Sequence, residues 1–503
     1  MTLKLLNRIG GERLAAAGGA TFEIRSPTDA SLVAIAPASS SADVDRAVAA
    51  AADAFARWRL VPAPARGEIL LRAGRVLEQR KEELALRMAR EMGKRLEEAR
   101  GDVQEAIDTA WYAGTEGRRL FGRTAPSELS SKLGFTVRRP VGVAAIITAW
   151  NFPVAVPSWK IFPALVCGNA VVWKPAEEAP AVADLFAAAL EEAGLPAGVL
   201  NVVHGDGEGA GAPLVAHPGI SLISFTGSSP VGRRIAEVAG RSLKHVSLEL
   251  GGKNPVIVLP DADLELAVDG LLWGAFGTAG QRCTATSRLI AVGDVGARLL
   301  PRLVARAREL RLGDPLELAT DIGPLIGERH RERVHGRVQD AVRAGARLVC
   351  GGEFPREARL SRGWFYPPTV LEAARGTPIA LEEVFGPVLT VLRADSLDEA
   401  IEVANEVEFG LSSSIYTRDV NAALRAVERI DAGITYVNAP TIGAEAHFPF
   451  GGVKQTGNGH REGGWAPYEF FSEVKTVYID YSGRLQRAQI DNRKDADPGA
   501  ARP

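Results

Sequence analysis

Residues 141–153 read V-G-V-A-A-I-I-T-A-W-N-F-P. An apolar run of this length, without polar alternation, suits a strand covered on both faces. The character changes at once beyond it: Asn151 sits between Trp150 and Phe152, in the place where a strand ends and a loop begins. Three comparable runs come next, at 170–173 (A-V-V-W), 199–203 (V-L-N-V-V) and 222–225 (L-I-S-F). Helical stretches separate them, the clearest being 179–193, closed by Gly194 and Pro196. Strands alternating with helices predict an α/β fold, a mostly parallel sheet layered by helices. In such sheets ligands dock beyond the carboxyl ends of the strands.

Further strands are expected at 245–249 and 255–259. A second α/β unit is expected over 261–464, with helices at 299–310 and 328–344. Before the central run, residues 42–57 place Val44, Ala47, Val48, Ala51 and Phe55 on one helical face, with Ser41 as N-cap. The helical period continues over 66–91. Residues 135–140 alternate, and the polar 127–131 stretch before them reads as a hairpin arm. Y-I-D-Y at 478–481 reads as a last strand, and the polar tail from 490 as disordered.

The chain has 503 residues, enough for two to four domains at roughly 150 each. No run reaches the roughly 18 to 20 apolar residues of a spanning helix, and the first residues show no secretory cleavage pattern. With 59 basic and 61 acidic residues and no basic cluster, nucleic acid is not an expected partner. Three cysteines build no disulfide framework, which favours a reducing cytoplasm.

Cys283 stands apart from the other two thiols. It lies in G-Q-R-C-T-A-T-S-R, a small polar setting with Arg282 beside it, whereas Cys167 and Cys350 lie in apolar runs that suit inert buried thiols. A nucleophilic thiol needs access and a cationic or helix-end neighbour to lower its pKa, a part open to Arg282. Glu249, at the end of an apolar strand before two glycines, is either a general base with a raised pKa or a surface glutamate. Asn151 is either an oxyanion donor or a turn residue. F-T-G-S-S-P-V-G at 225–232 offers free N–H groups at a helix start, where a pyrophosphate can dock.

Taken together, seven stretches resemble the aldehyde dehydrogenase superfamily in order and spacing: W-N-F-P, W-K-P-A-E, F-T-G-S, E-L-G-G-K, G-Q-R-C, E-E-V-F-G-P and P-F-G-G-V-K. The resemblance runs from about Phe22 to Leu485. It implies that Cys283 attacks an aldehyde carbon, that Asn151 holds the oxyanion, and that Glu249 activates the water that releases the acid. Glu462 resembles a second carboxylate that orients Glu249, although G-N-G-H-R-E carries one residue more than the commoner form. Lys174 and Glu177 resemble the adenosine-ribose pair, which favours NAD and makes NADP the lesser cofactor. Gly227 and Ser228 resemble the pyrophosphate site, Trp150 a cofactor neighbour, and Glu383 with Phe385 the nicotinamide-ribose site.

Phe152, Trp159 and Phe450 resemble the walls of an aldehyde tunnel. The loop N-A-P-T-I-G-A-E is most similar to branches that oxidise α-ketoglutaric and α-aminoadipic semialdehydes. Arg282 then has two readings, a partner for a substrate carboxylate or for a structural one. The resemblance also implies an NAD-binding domain at 1–123 and 141–252, a catalytic domain at 253–465, and an oligomerisation flap at 124–140 with 474–485. It implies a homodimer or homotetramer and no metal. A coenzyme-A-dependent relative would lack Glu249, a retired one would lose the cysteine or the cofactor contacts, and a thiol esterase would leave Lys174, Glu177 and Ser228 idle.

Overall fold

A computed structural model describes residues 2–491, so most of the tail read as disordered lies outside the described residues. Two seven-stranded sheets dominate. In the first, five parallel strands run Val143–Ile147, Ala170–Lys174, Leu200–Val202, Leu222–Thr226 and His245–Glu249. Their spatial order places Leu222–Thr226 and His245–Glu249 on one side of Val143–Ile147 and the other two on its far side. The chain therefore reverses its direction of travel between Val143–Ile147 and Leu222–Thr226, and a crevice opens at their carboxyl ends. A hairpin, Asn7–Ile9 with Glu12–Leu14, joins antiparallel at the edge.

The central strand is shorter than the apolar run that announces it. Its five residues are all buried, as are those of Ala170–Lys174. Helix Ala155–Cys167 is buried along its whole length and lies behind the same crevice. Around it, the core joins Trp58, Leu70, Met88, Ile107, Phe162 and Trp173.

In the second sheet, parallel strands Asn254–Val258, Thr286–Val292, Thr369–Glu372, Val388–Ala394, Ser412–Tyr416 and Ile434–Val437 are joined by Arg347–Cys350, antiparallel at one edge. The connection between the sheets decides how they meet. The chain leaves the first sheet at Glu249, a carboxyl end, and enters the second at Asn254, an amino end, with only residues 250–253 between. The carboxyl edge of one sheet thus confronts the amino edge of the other.

Several expectations are corrected in detail. The helix at 41–58 is capped by Ser40 rather than Ser41, because Asp43 takes the Ser40 N–H at 3.0 Å in a capping box. Residues 66–91 form two helices, Ala63–Gln79 and Lys81–Met92, parted at Arg80. Residues 127–131 are the turn of a hairpin rather than an arm; the arms are Thr124–Pro126 and Lys132–Pro140. The last strand among the described residues is Ser472–Asp480, paired along its length with Lys132–Pro140. It lies at the edge of this three-stranded sheet, and Val474, Tyr478 and Ile479 are exposed on it. Among the described residues no helix is long and apolar enough to cross a membrane.

Candidate active site

A cavity of about 880 Å³ lies where the two sheet edges meet. Every candidate site residue from the sequence lines it except Lys174 and Glu177.

Cys283 reaches the cavity from the second sheet, just ahead of strand Thr286–Val292. The turn before it holds three consecutive left-handed residues, Thr278, Ala279 and Gly280 (φ 52°, 53° and 69°). Gly280 is obligatory there, since a Cβ would stand 2.2 Å from the Gly386 carbonyl oxygen. Asn254 fixes the far side of the turn: its Nδ2 donates to the Cys283 and Ala285 carbonyls at 2.8 and 2.9 Å. The thiol packs beside Trp159, Leu411 and Phe450, whose two rings lie 4.8 Å apart.

The expectation that Arg282 acidifies this thiol is not met. Arg282 turns away to Glu98 at 3.0 Å and to Thr278 Oγ1 at 3.0 Å, and stacks over Trp273 and Phe152. Its carboxylate partner here is Glu98, and both side chains line the cavity. Burial, with Glu249 and Glu383 nearby, pushes the Cys283 thiol up to about 12. The thiol rests protonated.

Glu249 is no surface residue: it is 4 % exposed, and neither carboxylate oxygen has a hydrogen-bond partner. Burial, and then the charge of Glu462, hold its pKa well above the carboxylate range. Gly451 makes room for it, because a Cβ there would meet Glu249 Oε1 at 2.6 Å. Glu462 is ion-paired with the fully buried Lys160, which also donates to Ser224 Oγ at 3.1 Å. Lys160 escapes the sequence reading, yet a signal exists: it is the only charged residue of helix Ala155–Cys167. Asn151, after the central strand, donates from Nδ2 to the Gln281 carbonyl at 3.1 Å, which ties the two banks together beside Cys283.

The residues present fit a dinucleotide. Helix Ser229–Gly240 points its free N–H groups into the cavity from Ser228, which makes no capping bond with its own side chain. Nearby, the Thr226 hydroxyl is buried without a partner. Glu383, pushed up to about 7 by burial, accepts the Gly252 N–H at 3.0 Å. Phe385 has a left-handed backbone (φ 58°), held by a 2.7 Å contact between its carbonyl and His330 Nε2. Trp150 packs edge-on against both rings, 5.8 Å from His330 and 5.7 Å from Phe385. Lys174 lies apart at the end of its strand, bound to Gly205 O at 2.7 Å and to Glu177 at 3.1 Å.

Asp102, Lys94, Glu98 and Trp273 gather around Phe152, and the sequence reading singles out none of them. Lys94 and Asp102 form a fully buried ion pair at 2.7 Å, Asp102 caps helix Ala155–Cys167 through the Ala155 N–H, and Lys94 stands 3.6 Å over the Phe152 ring.

The model of the aldehyde dehydrogenase family matches residues 14–477. The chain is 40% identical over 477 residues to an alpha-ketoglutaric semialdehyde dehydrogenase of Bacillus subtilis, covering 94% of this chain and 98% of the relative. It is equally identical, 40% over 479 residues, to a betaine aldehyde dehydrogenase of Rhizobium etli, covering 94% of this chain and 96% of the relative. Among solved structures, betaine aldehyde dehydrogenase of Staphylococcus aureus, in complex with NAD+ and with a BME-modified cysteine, superposes with a TM-score of 0.94 at 32% identity, covering 96% of this chain and 97% of that one. With the family model spanning nearly the whole length, and with the cysteine, glutamate and asparagine of its motifs gathered around one cavity, the chain belongs to the aldehyde dehydrogenase family.

Proposed function

We propose that the protein oxidises an aldehyde carrying a carboxylate at its far end to the corresponding acid, with NAD as cofactor. One observation carries the reading most: an unpartnered buried carboxyl, Glu249, shares a cavity with an uncommitted thiol, Cys283. The semialdehyde choice is supported by the relatives named alpha-ketoglutaric semialdehyde and 2,5-dioxopentanoate dehydrogenase, at 40% identity. NAD is supported by the NAD+ complexes of structural neighbours and by the Glu177 carboxylate, which would accept a ribose hydroxyl and repel a 2′-phosphate.

Ser228 and the helix behind it would hold the pyrophosphate, Lys174 with Glu177 the adenosine ribose, and Glu383 the second ribose beside Phe385. When bound, the nicotinamide accepts the hydride that leaves the substrate carbon. Cys283 first loses its proton to solvent water, and the thiolate bonds through Sγ to that carbon as the carbonyl π bond opens, while the Asn151 amide and the Cys283 N–H take the oxyanion. After oxidation the acyl group remains on sulfur as a thioester. Glu249, once ionised, draws a proton from water, whose oxygen then attacks the acyl carbon and releases the acid. Lys160, by neutralising Glu462, lowers the cost of ionising Glu249 beside a second carboxylate.

The edge strand Ser472–Asp480, with apolar side chains exposed, supports assembly of two or four copies through 124–140 and 474–485. A panel of aldehydes with NAD, followed by NADH absorbance, tests the reaction. NADH formation dependent on both components is expected; none with any aldehyde would overturn the reading.

A further inference from the structure

The wall formed by helix Leu96–Glu116 carries a group that the mechanism leaves unused. Glu105 lines the cavity; its side chain is partly buried, and Oε1 is shut off from solvent with no hydrogen-bond partner. Its charged neighbours are already committed to one another. Arg282 is engaged by Glu98, and Lys94 by Asp102, which also holds the Ala155 N–H. Both cations of this cluster are thus paired with other carboxylates, and burying Glu105 as an unpaired carboxylate costs more than burying it as the neutral acid.

We infer that Glu105 is a specificity-determining residue, and that its carboxyl, as the acid, donates a hydrogen bond to the far-end carboxylate of the substrate. This deepens the reading of the cavity as an aldehyde site and rests on it. A protonated acid supplies the hydrogen that an anionic tail lacks, and the pair shares one proton where two carboxylates would repel. The committed cations Lys94 and Arg282 stand over the adjoining Phe152 ring, at 3.6 and 5.5 Å, and disfavour a cationic tail at the same place.

The groups that act on Glu105 have opposing effects. Burial, and then Asp102, raise its pKa, to about 8; Lys94 and Arg282 lower it, and Asp108 on the same helix raises it. From strand Ile434–Val437, Tyr436 feels the charge of Glu105 together with that of Glu445. An anionic tail therefore binds while Glu105 keeps its proton and is expelled as pH rises through about 8.

The test compares three aldehydes of one chain length, with saturating NAD: succinic semialdehyde, butanal and 4-(trimethylammonio)butanal. The ratio of kcat/KM for succinic semialdehyde to that for butanal cancels titration of Cys283 and Glu249, which all three substrates share. In the native enzyme this ratio should fall about tenfold per pH unit above about 8. Glu105→Gln, a permanent neutral donor, should hold the ratio flat with pH. Glu105→Leu should lower it about tenfold at neutral pH, as for a lost hydrogen bond to a charged partner. A native ratio independent of pH, with butanal oxidised normally, would overturn the role of Glu105 and leave the aldehyde reading standing. Preference for the trimethylammonio substrate that rises with pH and vanishes in Glu105→Gln would also overturn it, by showing that Glu105 binds cations as a carboxylate. No turnover of any of the three would overturn both readings at once.

Discussion

The two banks of the cavity are built on opposite plans. The first sheet offers the carboxyl ends of its strands, and groups there stand with open valences: both Glu249 oxygens and the Thr226 hydroxyl are buried without partners. The second sheet offers its amino ends, and the corresponding groups are bound down. Asn254 grips the Cys283 and Ala285 carbonyls, Gly252 donates to Glu383, and His330 contacts the Phe385 carbonyl. Open groups suit ligands that come and go; tethered ones suit a nucleophile whose position must not drift. The rule that ligands gather at carboxyl ends describes one bank only.

Removing the tethered bank's single reactive group should have the largest effect. Cys283→Ala should lower kcat by about 10⁴-fold or more, as for loss of a nucleophile, while NAD still quenches tryptophan fluorescence. Cys350→Ala, at a thiol buried far along the sheet edge, should leave kcat nearly intact. Turnover surviving in Cys283→Ala would end the comparison altogether.

The open bank is probed by Glu249→Gln, with a rate loss of roughly 10²–10⁴-fold. A burst of NADH approaching one equivalent per site should precede the slow phase, with an acyl adduct on the Cys283 peptide by mass spectrometry. Absence of the burst would assign Glu249 to the thiol instead. The native deacylation rate should rise with pH: burial raises the Glu249 pKa well above the usual carboxylate range, and only its ionised form is a base.

Asn254→Ala isolates the tether itself. It frees two carbonyls and removes the acceptor of the Ser412 N–H at 3.0 Å, so a stability loss of about 1–3 kcal/mol is expected from urea unfolding. A kcat that falls while KM for NAD holds would sharpen the contrast; the reverse pattern would blur it. The smallest effect belongs outside the cavity. Glu177→Ser should shift the NAD-to-NADP preference by the equivalent of about 1–3 kcal/mol, read as the ratio of kcat/KM values.

The open bank was largely legible in the sequence, because each of its groups ends an apolar strand and stands at a change of pattern: Asn151 after 143–147, Ser228 after 222–226, Glu249 at the end of 245–249. Cys283 was legible by contrast with two thiols in apolar runs. What stayed hidden depends on pairs distant in sequence. The partner of Arg282 is Glu98, 184 residues away, and that of Glu462 is Lys160, 302 residues away. No local pattern tells an arginine which carboxylate it will meet, so the acidified thiol that Arg282 suggested gave way to a protonated one. Glu105 was hidden for the same reason: its interest lies in the partners it lacks.

The left-handed run of Thr278 and Ala279 before Cys283 also bears on how such an enzyme can change. For residues with a Cβ this conformation costs on the order of 1 kcal/mol or more each. Glycine, ordinarily the residue that weakens a fold, would ease the native state at both places while loosening the chain that aims the sulfur. Durability and catalytic power therefore pull in opposite directions over two residues. Variants selected for heat resistance alone have an incentive to give up the very geometry that makes the thiol useful.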